Sequence, residues 1–254
     1  MRHIGEENIN HNGNKMILIK YINNTNISVL FPSQNYIVNN TSYVEFTRGT
    51  IKSPYDKTIL GVGYLGEGKY RAKTKNIFSR QYKHWSSMLT RVYSVAYSIK
   101  KPTYVGCSVC EEWHDFQNFG KWYDDNYYEI NDEKMCLDKD ILHKGNKVYS
   151  PENCVFVPQN INSLVLNSKA KRGECLIGVS YHKATGKFRA DCSILDNNKK
   201  KQKQLGTYST EIKAFNEYKK FKEKYIKQFV ENYKSKIPNN LYNALINWNI
   251  DISD

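Results

Sequence analysis

The sequence predicts an α+β protein with three folded segments. These are a small β-rich module, a central unit of helices around a strand–strand–helix core, and a three-stranded sheet with one long helix. Short alternating apolar runs with turn residues occupy residues 15–75. Large apolar residues at helical spacing follow, and a last group of strand-like runs precedes an amphipathic helix. The expected segments are residues 1–78, 79–170 and 171–236, with a C-terminal tail at 237–254.

The composition favours a soluble protein of the cytoplasm without a membrane partner. The chain has 254 residues, of which 40% are hydrophobic and 25% charged. No apolar run approaches the ~18–20 residues of a membrane span, and the first residues lack the apolar stretch of a secretory signal. The six cysteines are too few for a disulfide-held secreted scaffold of this length, so reduced thiols are expected.

The formal net charge of +13 is distributed unevenly along the chain. Residues 1–106 carry +10 and residues 169–236 carry +11, whereas residues 107–140 carry −7. Basic segments suit the phosphate contacts that supply most non-specific affinity for nucleic acid, so a polyanionic partner is expected. The acidic segment is either a solvated acidic surface or the place of a cation.

The N-terminal module is expected to be a small sheet. The runs MILIKYI, ISVLF, YIVNN and YVEF have the pattern of short strands. The glycines of residues 61–68 do not form a phosphate-binding loop, because no Gly-Lys-Ser/Thr follows and the context is strand–turn–strand. We expect these glycines to mark turns and bulges.

Two helices and a strand–turn–strand–helix unit are expected in the central segment. Residues 80–97 place large apolar side chains on one helical face, and residues 111–128 carry a second apolar stripe. The strand-like run KMCLDKDIL at 134–142 is followed by a Gly-Asn turn, the run VYSPENCVFVP and a helix over 159–172. The helical stripes predict core packing.

Two acidic residues and one amide carry the chemistry expected of this core. Hydrolysis of a phosphodiester needs a divalent metal on the scissile oxygens, a base for water and cations for the backbone. Asp138 and Asn153 offer the oxygen ligands that Mg²⁺ prefers, and Asp140 shares a strand face with Asp138. The alternative is that Asp138 and Asp140 are turn or capping groups and that Ser-Pro-Glu-Asn begins a helix.

Several uncommon motifs fall within residues 81–165. They are Trp85, Met88, Arg91 and Tyr93, then Val109, Cys110, Trp113 and Phe116, then Leu137-Asp138-Lys139, and last the run from Tyr149 to Cys154. Together they resemble the HNH (ββα-metal) endonuclease-like proteins of phages and mobile elements. The resemblance implies a homing-type endonuclease that uses Mg²⁺ or Mn²⁺, with Asp138 and Asn153 at the metal-ligand positions and the general base directly after the aspartate.

The chain departs from that pattern at the base. Many active relatives have histidine where this chain has Lys139. An ammonium group is protonated at neutral pH and is a poor base, so Lys139 is expected to contact phosphate or to act as an atypical base beside Asp140. His143 in the turn and His114 are the alternative bases, although each alone is more typical of a surface or helix histidine.

The cysteines allow a structural zinc site but do not favour one. Cys107 and Cys110 form a CxxC pair, whereas Cys136 and Cys154 follow as single cysteines. Four thiolates can hold a structural zinc ion. Because the second pair is not a CxxC motif and Cys110 accompanies core aromatics, buried free thiols are the favoured interpretation.

The C-terminal segment carries a second set of motifs. They are Gly-Val-Ser-Tyr at 178–181, Gly-Lys-Phe-Arg-Ala at 186–190 and Leu-Gly-Thr-Tyr-Ser-Thr at 205–210, followed by Ala214, Phe215 and Tyr218. They resemble the Apetala-two DNA-binding domain, which lays a three-stranded sheet in the major groove with a helix packed behind it. The resemblance implies contacts to double-stranded DNA from Tyr181, Lys183, Lys187 and Arg189, and Lys201 lies in the lysine-rich turn DNNKKKQK of the same segment. The alternative is a solvated basic sheet face. Thr210 is a suitable N-cap for the long helix.

Two hypotheses from different classes follow. The first, which we favour, is a metal-dependent DNA endonuclease of homing type, encoded by a phage and acting in the cytoplasm of a bacterial host. The second is a sequence-specific DNA-binding protein that keeps an inactive nuclease-like core. The missing histidine at position 139 favours the second hypothesis, whereas the retained acidic pair and Asn153 favour the first.

Overall fold

The computed structural model describes residues 3–166, 174–196 and 199–254. The protein is α+β, as the sequence predicts. Two compact units make up the chain: Met1–Asp125 with Lys147–Pro151, and Asn126–Asn146 with Glu152–Asp254. The division falls inside the expected central segment, so the two units do not coincide with the four sequence segments.

The described elements, in chain order, are β1 (Glu7–Ile9), β2 (Lys15–Asn23), β3 (Asn26–Phe31), β4 (Tyr36–Thr41), α1 (Tyr43–Arg48), β5 (Lys73–Thr74), β6 (Ile77–Phe78), α2 (Arg80–Tyr93), α3 (Val95–Lys100), β7 (Ser108–Val109), α4 (Phe116–Asn126), β8 (Met135–Asp138), β9 (Val148–Tyr149), β10 (Val155–Pro158), α5 (Gln159–Val165), β11 (Val179–His182), β12 (Lys187–Asp196), β13 (Lys199–Tyr208), α6 (Glu211–Glu231) and α7 (Asn239–Ile246). Short 3₁₀ turns occupy Pro32–Gln34, Pro102–Tyr104 and Glu111–His114. None of the helices in these described stretches is both long and apolar enough to cross a bilayer.

A four-stranded antiparallel sheet, β1 to β4 in sequence order, opens the first unit. Alternation in the second and third strands turns one set of side chains inward. The buried set is Met16, Leu18, Ile27, Val29 and Phe31. The expected N-terminal β module is therefore confirmed over residues 7–41.

The run YVEF forms the helix α1, so its prediction as a strand is wrong. Ser42 accepts a hydrogen bond from the backbone N–H of Glu45, and the Glu45 side chain accepts the backbone N–H of Ser42. This capping box satisfies two backbone donors at the helix start and overrides the β propensity of a four-residue run. Phe46 of α1 is buried in the core of the sheet.

The helices of the first unit bury the predicted apolar stripes. Trp85, Met88, Leu89, Phe116 and Phe119 have no exposed surface. The helix predicted over 80–97 is interrupted at Ser94, whose extended backbone (φ −83°, ψ 115°) ends α2 and whose side chain caps α3. The helix predicted over 111–128 is also interrupted, because extended Asp115 (φ −82°, ψ 121°) separates the 3₁₀ turn Glu111–His114 from α4.

In the second unit, β8 and β10 pair antiparallel, with Asp138 opposite Val155, and α5 follows β10 directly. This is the predicted strand–strand–helix order. Its apolar residues share one core with the second half of α6 and with α7, which includes Ile141, Val157, Ile161, Leu164, Ile226, Val230, Leu241 and Leu245. Of the helix predicted over 159–172, α5 covers the described part, and residues 167–173 lie outside the described residues.

The same unit contains the three-stranded antiparallel sheet β11–β12–β13, with α6 packed on one face. Thr210 caps α6 by accepting the backbone N–H of Lys213, as predicted. The extent of the predicted lysine-rich turn is wrong, because β13 begins at Lys199 and its ladder with β12 starts at the pair Asp196 and Lys199. The low strand propensity of lysine favours a turn for this run, whereas pairing with the central strand β12 determines its conformation. Residues 197 and 198 lie outside the described residues.

Candidate functional site

Asp138 occupies the last position of β8 and closes the turn that follows it. Its Oδ1 atom accepts hydrogen bonds from the backbone N–H groups of Asp140 and Ile141, both at 2.9 Å. A carboxylate that bonds the backbone two and three residues ahead is a turn-forming group. One oxygen of Asp138 thus has the capping role that the sequence left open as the alternative.

The carboxyl groups of Asp138 and Asp140 act on each other electrostatically. Burial raises the pKa of Asp138, and the neighbouring charge of Asp140 raises it further. Two like charges at one site disfavour the ionised form, whereas a cation between them would favour it. Carboxylate and amide oxygens are the hard donors that Mg²⁺ prefers, which is the chemistry that the sequence leads us to expect of Asp138 and Asn153.

Lys139 is buried, with only 9% of its side chain exposed. Its Nζ donates to a carboxylate oxygen of Asp140 at 3.2 Å and to the backbone oxygen of Asn146 at 3.0 Å. Asn146 in turn donates its Nδ2 to the backbone oxygen of Lys139 at 2.6 Å. These reciprocal bonds close the loop after β8, a structural role that no sequence pattern indicated, and they hold the ammonium within the loop.

Asn153 lies at the same end of the hairpin as Asp138. The ladder of β8 and β10 ends at the pair of Asp138 with Val155, and Asn153 precedes Val155 by two residues. Asn153 lies in the turn that precedes β10, and Asp140 lies in the turn that follows β8. The structure therefore brings the two predicted metal ligands and Asp140 to one end of one hairpin.

The two histidines considered as bases differ in surroundings. His143 is exposed in the loop, and its backbone oxygen accepts the N–H of Asn146. His114 belongs to the first compact unit, where its Nε2 lies 3.2 Å from the Tyr93 hydroxyl. Burial, and secondly the charge of Lys57, lowers the pKa of His114.

The cysteines are all free thiols in this structure. Cys107 and Cys110 belong to the first unit, and Cys136 and Cys154 belong to the second. Cys136 donates its thiol to Oε1 of Gln159 at 3.1 Å, and Cys154 is buried. Within the described ranges, no three or more His, Cys, Asp or Glu side chains are grouped to hold a metal ion.

The register of the C-terminal sheet assigns each predicted DNA contact to a face. Directly paired residues of an antiparallel ladder point to the same side. Arg189 pairs with Ser180 and Thr207, on the face opposite α6, and Lys187 shares that face by alternation. Tyr181 pairs with Phe188, their rings 5.1 Å apart, on the face that carries α6.

The remaining predicted contacts lie near the ends of the strands. Lys183 is exposed in the turn between β11 and β12. Lys201 is exposed and pairs with Ile194, which packs in the core beneath α6. Lys201 therefore lies on the α6 side of the sheet, opposite to the face that carries Arg189. Arg189 donates its Nε to Asp191 at 2.7 Å, and 43% of the Arg189 side chain stays exposed.

Three polar residues that the sequence did not single out lie on the same face as Arg189. Lys200, Gln202 and Gln204 alternate along β13 and pair with Leu195, Ser193 and Asp191. The sequence pattern that could have identified them is the alternation within KKKQKQ at 199–204, and that alternation places residues on one face only if the run is a strand. Comparison with protein-family models, with curated proteins and with solved structures finds no match for this chain.

Proposed function

We propose that this protein binds double-stranded DNA through the face of the β11–β12–β13 sheet that lies opposite α6. The observation that carries the proposal is the row of cationic and amide side chains that register places on that face: Lys187, Arg189, Lys200, Gln202 and Gln204. Guanidinium and amide groups are the side chains that pair with base edges, and lysines bind phosphates. The major groove, about 12 Å wide, admits β structure.

The charge of the C-terminal segment also favours a DNA partner. Residues 169–236, which include the sheet and α6, carry a formal charge of +11. The face itself contains the acidic residue Asp191, but its carboxylate accepts the Arg189 Nε and so neutralises little beyond that pair. A basic surface of this kind binds a polyanion with strong dependence on salt concentration.

A duplex-binding measurement tests the proposal. We expect Arg189→Ala to weaken binding of a labelled duplex by about tenfold or more, the effect of losing one good base contact. The matched control is Lys220→Ala, which removes one positive charge from the exposed surface of α6 and is expected to change affinity by about twofold or less. Equal losses in the two variants would contradict docking through the sheet.

A second candidate function, a metal-dependent DNA endonuclease, is favoured by the acidic pair and Asn153 at one end of the hairpin. Asp138 and Asn153 would hold the divalent ion, which when bound polarises the phosphate and activates water. Asp140 and Lys139 would fix the loop that orients Asp138. DNA binding without cleavage, the alternative from the sequence, remains the outcome if this centre is inactive.

Plasmid nicking in Mg²⁺ or Mn²⁺ tests the second candidate. We expect the wild-type protein to nick the plasmid and Asp138→Asn to lose the activity, because an amide oxygen keeps the turn but supplies no charge to the metal. Cleavage that persists in this variant would refute the metal assignment. Absent cleavage together with tight, salt-sensitive binding would leave the binding function alone.

A further inference from the structure

A polar cleft of about 280 Å³ lies within the second unit, at the edge of β12 where the shorter strand β11 no longer covers it. The end of α5 and the middle of α6 form its other walls. The residues that matter to its chemistry are Ser193, Lys200, Gln202, Asp191 and Lys222. Lys200 and Gln202 also belong to the proposed DNA-binding face, whereas Lys222 has no role in that face or in the hairpin.

Lys222 is the unusual member of this cleft. It is 7% exposed and occupies the buried stripe of α6 between Tyr218 and Ile226. Among the residues that the structure describes, no carboxylate forms an ion pair with it and no acceptor forms a hydrogen bond with it. A buried ammonium without a counter-charge is costly, so its retention points to a ligand that supplies one.

The groups that face Lys222 reinforce this argument. Burial, and also the positive charge of Lys200, lowers the pKa of Lys222, while the Cys192 thiol acts in the opposite direction. Asp191 lines the same cleft, but its carboxylate is bonded to the guanidinium of Arg189 at 2.7 Å. Two lysines thus direct positive charge into one cleft, and Asp191, the acidic residue among the described residues that line it, is bonded to Arg189.

A neutral donor completes the set. Ser193 donates its hydroxyl to Oε1 of Gln202 at 2.8 Å, which orients the Gln202 side-chain amide. The Nε2 of the same amide, which belongs to a residue that lines the cleft, has two N–H groups to donate. Two ammonium groups and an amide N–H are the kind of donors that hold phosphate oxygens.

We propose that this cleft binds a phosphate group, held by Lys222, Lys200 and the side-chain amide of Gln202. The phosphate can belong to a small phosphate compound or to a DNA backbone that passes the edge of the sheet. The second source rests on the proposed DNA-binding function, whereas binding of inorganic phosphate does not.

The test measures binding of inorganic phosphate to the full chain by isothermal titration, in chloride buffers of constant ionic strength. We expect saturable binding to the wild-type protein and at least tenfold weaker binding to Lys222→Met, a variant of similar length without the charge. Lys220→Met, two residues away on the exposed face of α6, should bind as the wild type does. Equal binding to wild type and Lys222→Met, or no binding to the wild type, would overturn the proposal.

Two further measurements show whether Lys222→Met is folded and which kind of phosphate the cleft binds. The melting temperature of Lys222→Met without phosphate should equal or exceed that of the wild type, because an unpaired buried charge has been removed. If duplex binding weakens in parallel with phosphate binding, the result supports a backbone phosphate as ligand. If phosphate binding alone is lost, it supports a small phosphate compound. If Arg189→Ala does not affect duplex binding, DNA docking through the sheet is refuted, while the proposal of phosphate binding in the cleft is unaffected.

Discussion

Replacement of Asp138 tests how far its carboxylate supports the fold and how far it supports chemistry. Asp138→Ala removes the acceptor of two backbone N–H groups, those of Asp140 and Ile141. Asp138→Asn keeps an oxygen at the Oδ1 position and removes the charge that Asp140 opposes. The two variants therefore separate loss of the turn from loss of the charge.

The hydrogen bonds of Asp138 set the expected loss of stability in each variant. An unsatisfied buried donor costs about 1–3 kcal/mol, and two are left by Asp138→Ala in a partly buried turn, so we expect a loss of about 2–4 kcal/mol in the free energy of unfolding. Asp138→Asn keeps both bonds and relieves repulsion between two carboxylates, so its free energy of unfolding should lie within about 1 kcal/mol of wild type.

Urea unfolding followed by circular dichroism measures both values in metal-free buffer. Comparable destabilisation by alanine and asparagine would refute the turn-capping role, because the amide should preserve it. If instead Asp138→Ala is as stable as wild type, the two hydrogen bonds contribute nothing to stability and the reasoning is wrong at its first step.

Three further predictions concern other parts of the chain. Asp56→Ala should lower the free energy of unfolding by about 3 kcal/mol or more in urea, at about 1–3 kcal/mol for each donor left unsatisfied, because its buried carboxylate accepts bonds from three asparagine side chains. Wild-type stability in that variant would contradict this role. Gly178→Ala should cost about 2–4 kcal/mol, because φ is +74° and the new Cβ would lie 2.1 Å from the Tyr218 ring. Gly186→Ala, at φ +64°, meets the Tyr181 hydroxyl at an ordinary contact distance of 3.8 Å and should cost less; equal losses would show that the Tyr218 ring moves aside. Burial lowers the pKa of His114, so as the pH falls the unfolded state binds the proton before the folded state does. The free energy of unfolding should therefore fall as the pH drops below about 6.5, the usual pKa of histidine. His114→Gln should reduce this pH dependence, and an unchanged pH profile would exclude the effect.

The sequence predicted the elements whose pattern is local. Alternation in residues 15–31 was sufficient for the N-terminal sheet, and Thr210 marked the start of α6. The helix at 43–48 was missed because a capping box outweighed the strand propensity of a short run. β13 was predicted too short because its first residues take their conformation from pairing with β12 and not from their own propensity.

The candidate site was predictable in composition but not in geometry. The hairpin with Asp138 and Asn153 followed from residue types and spacing, yet the burial of Lys139 depends on bonds with Asn146 that no periodicity reveals. Tyr181 and Arg189 lie on opposite faces of the sheet because the register pairs Tyr181 with Phe188 and not with Arg189. Lys222 did leave a signal, as a charge within an apolar helical stripe.

The most direct test of DNA binding through the sheet is the salt dependence of duplex affinity in wild type, Lys187→Ala and Lys220→Ala. Each phosphate contact contributes about 0.9 to the slope of log affinity against log salt concentration. We predict that the magnitude of the slope falls by about one in Lys187→Ala and is unchanged in Lys220→Ala. Identical slopes in all three proteins would contradict the account.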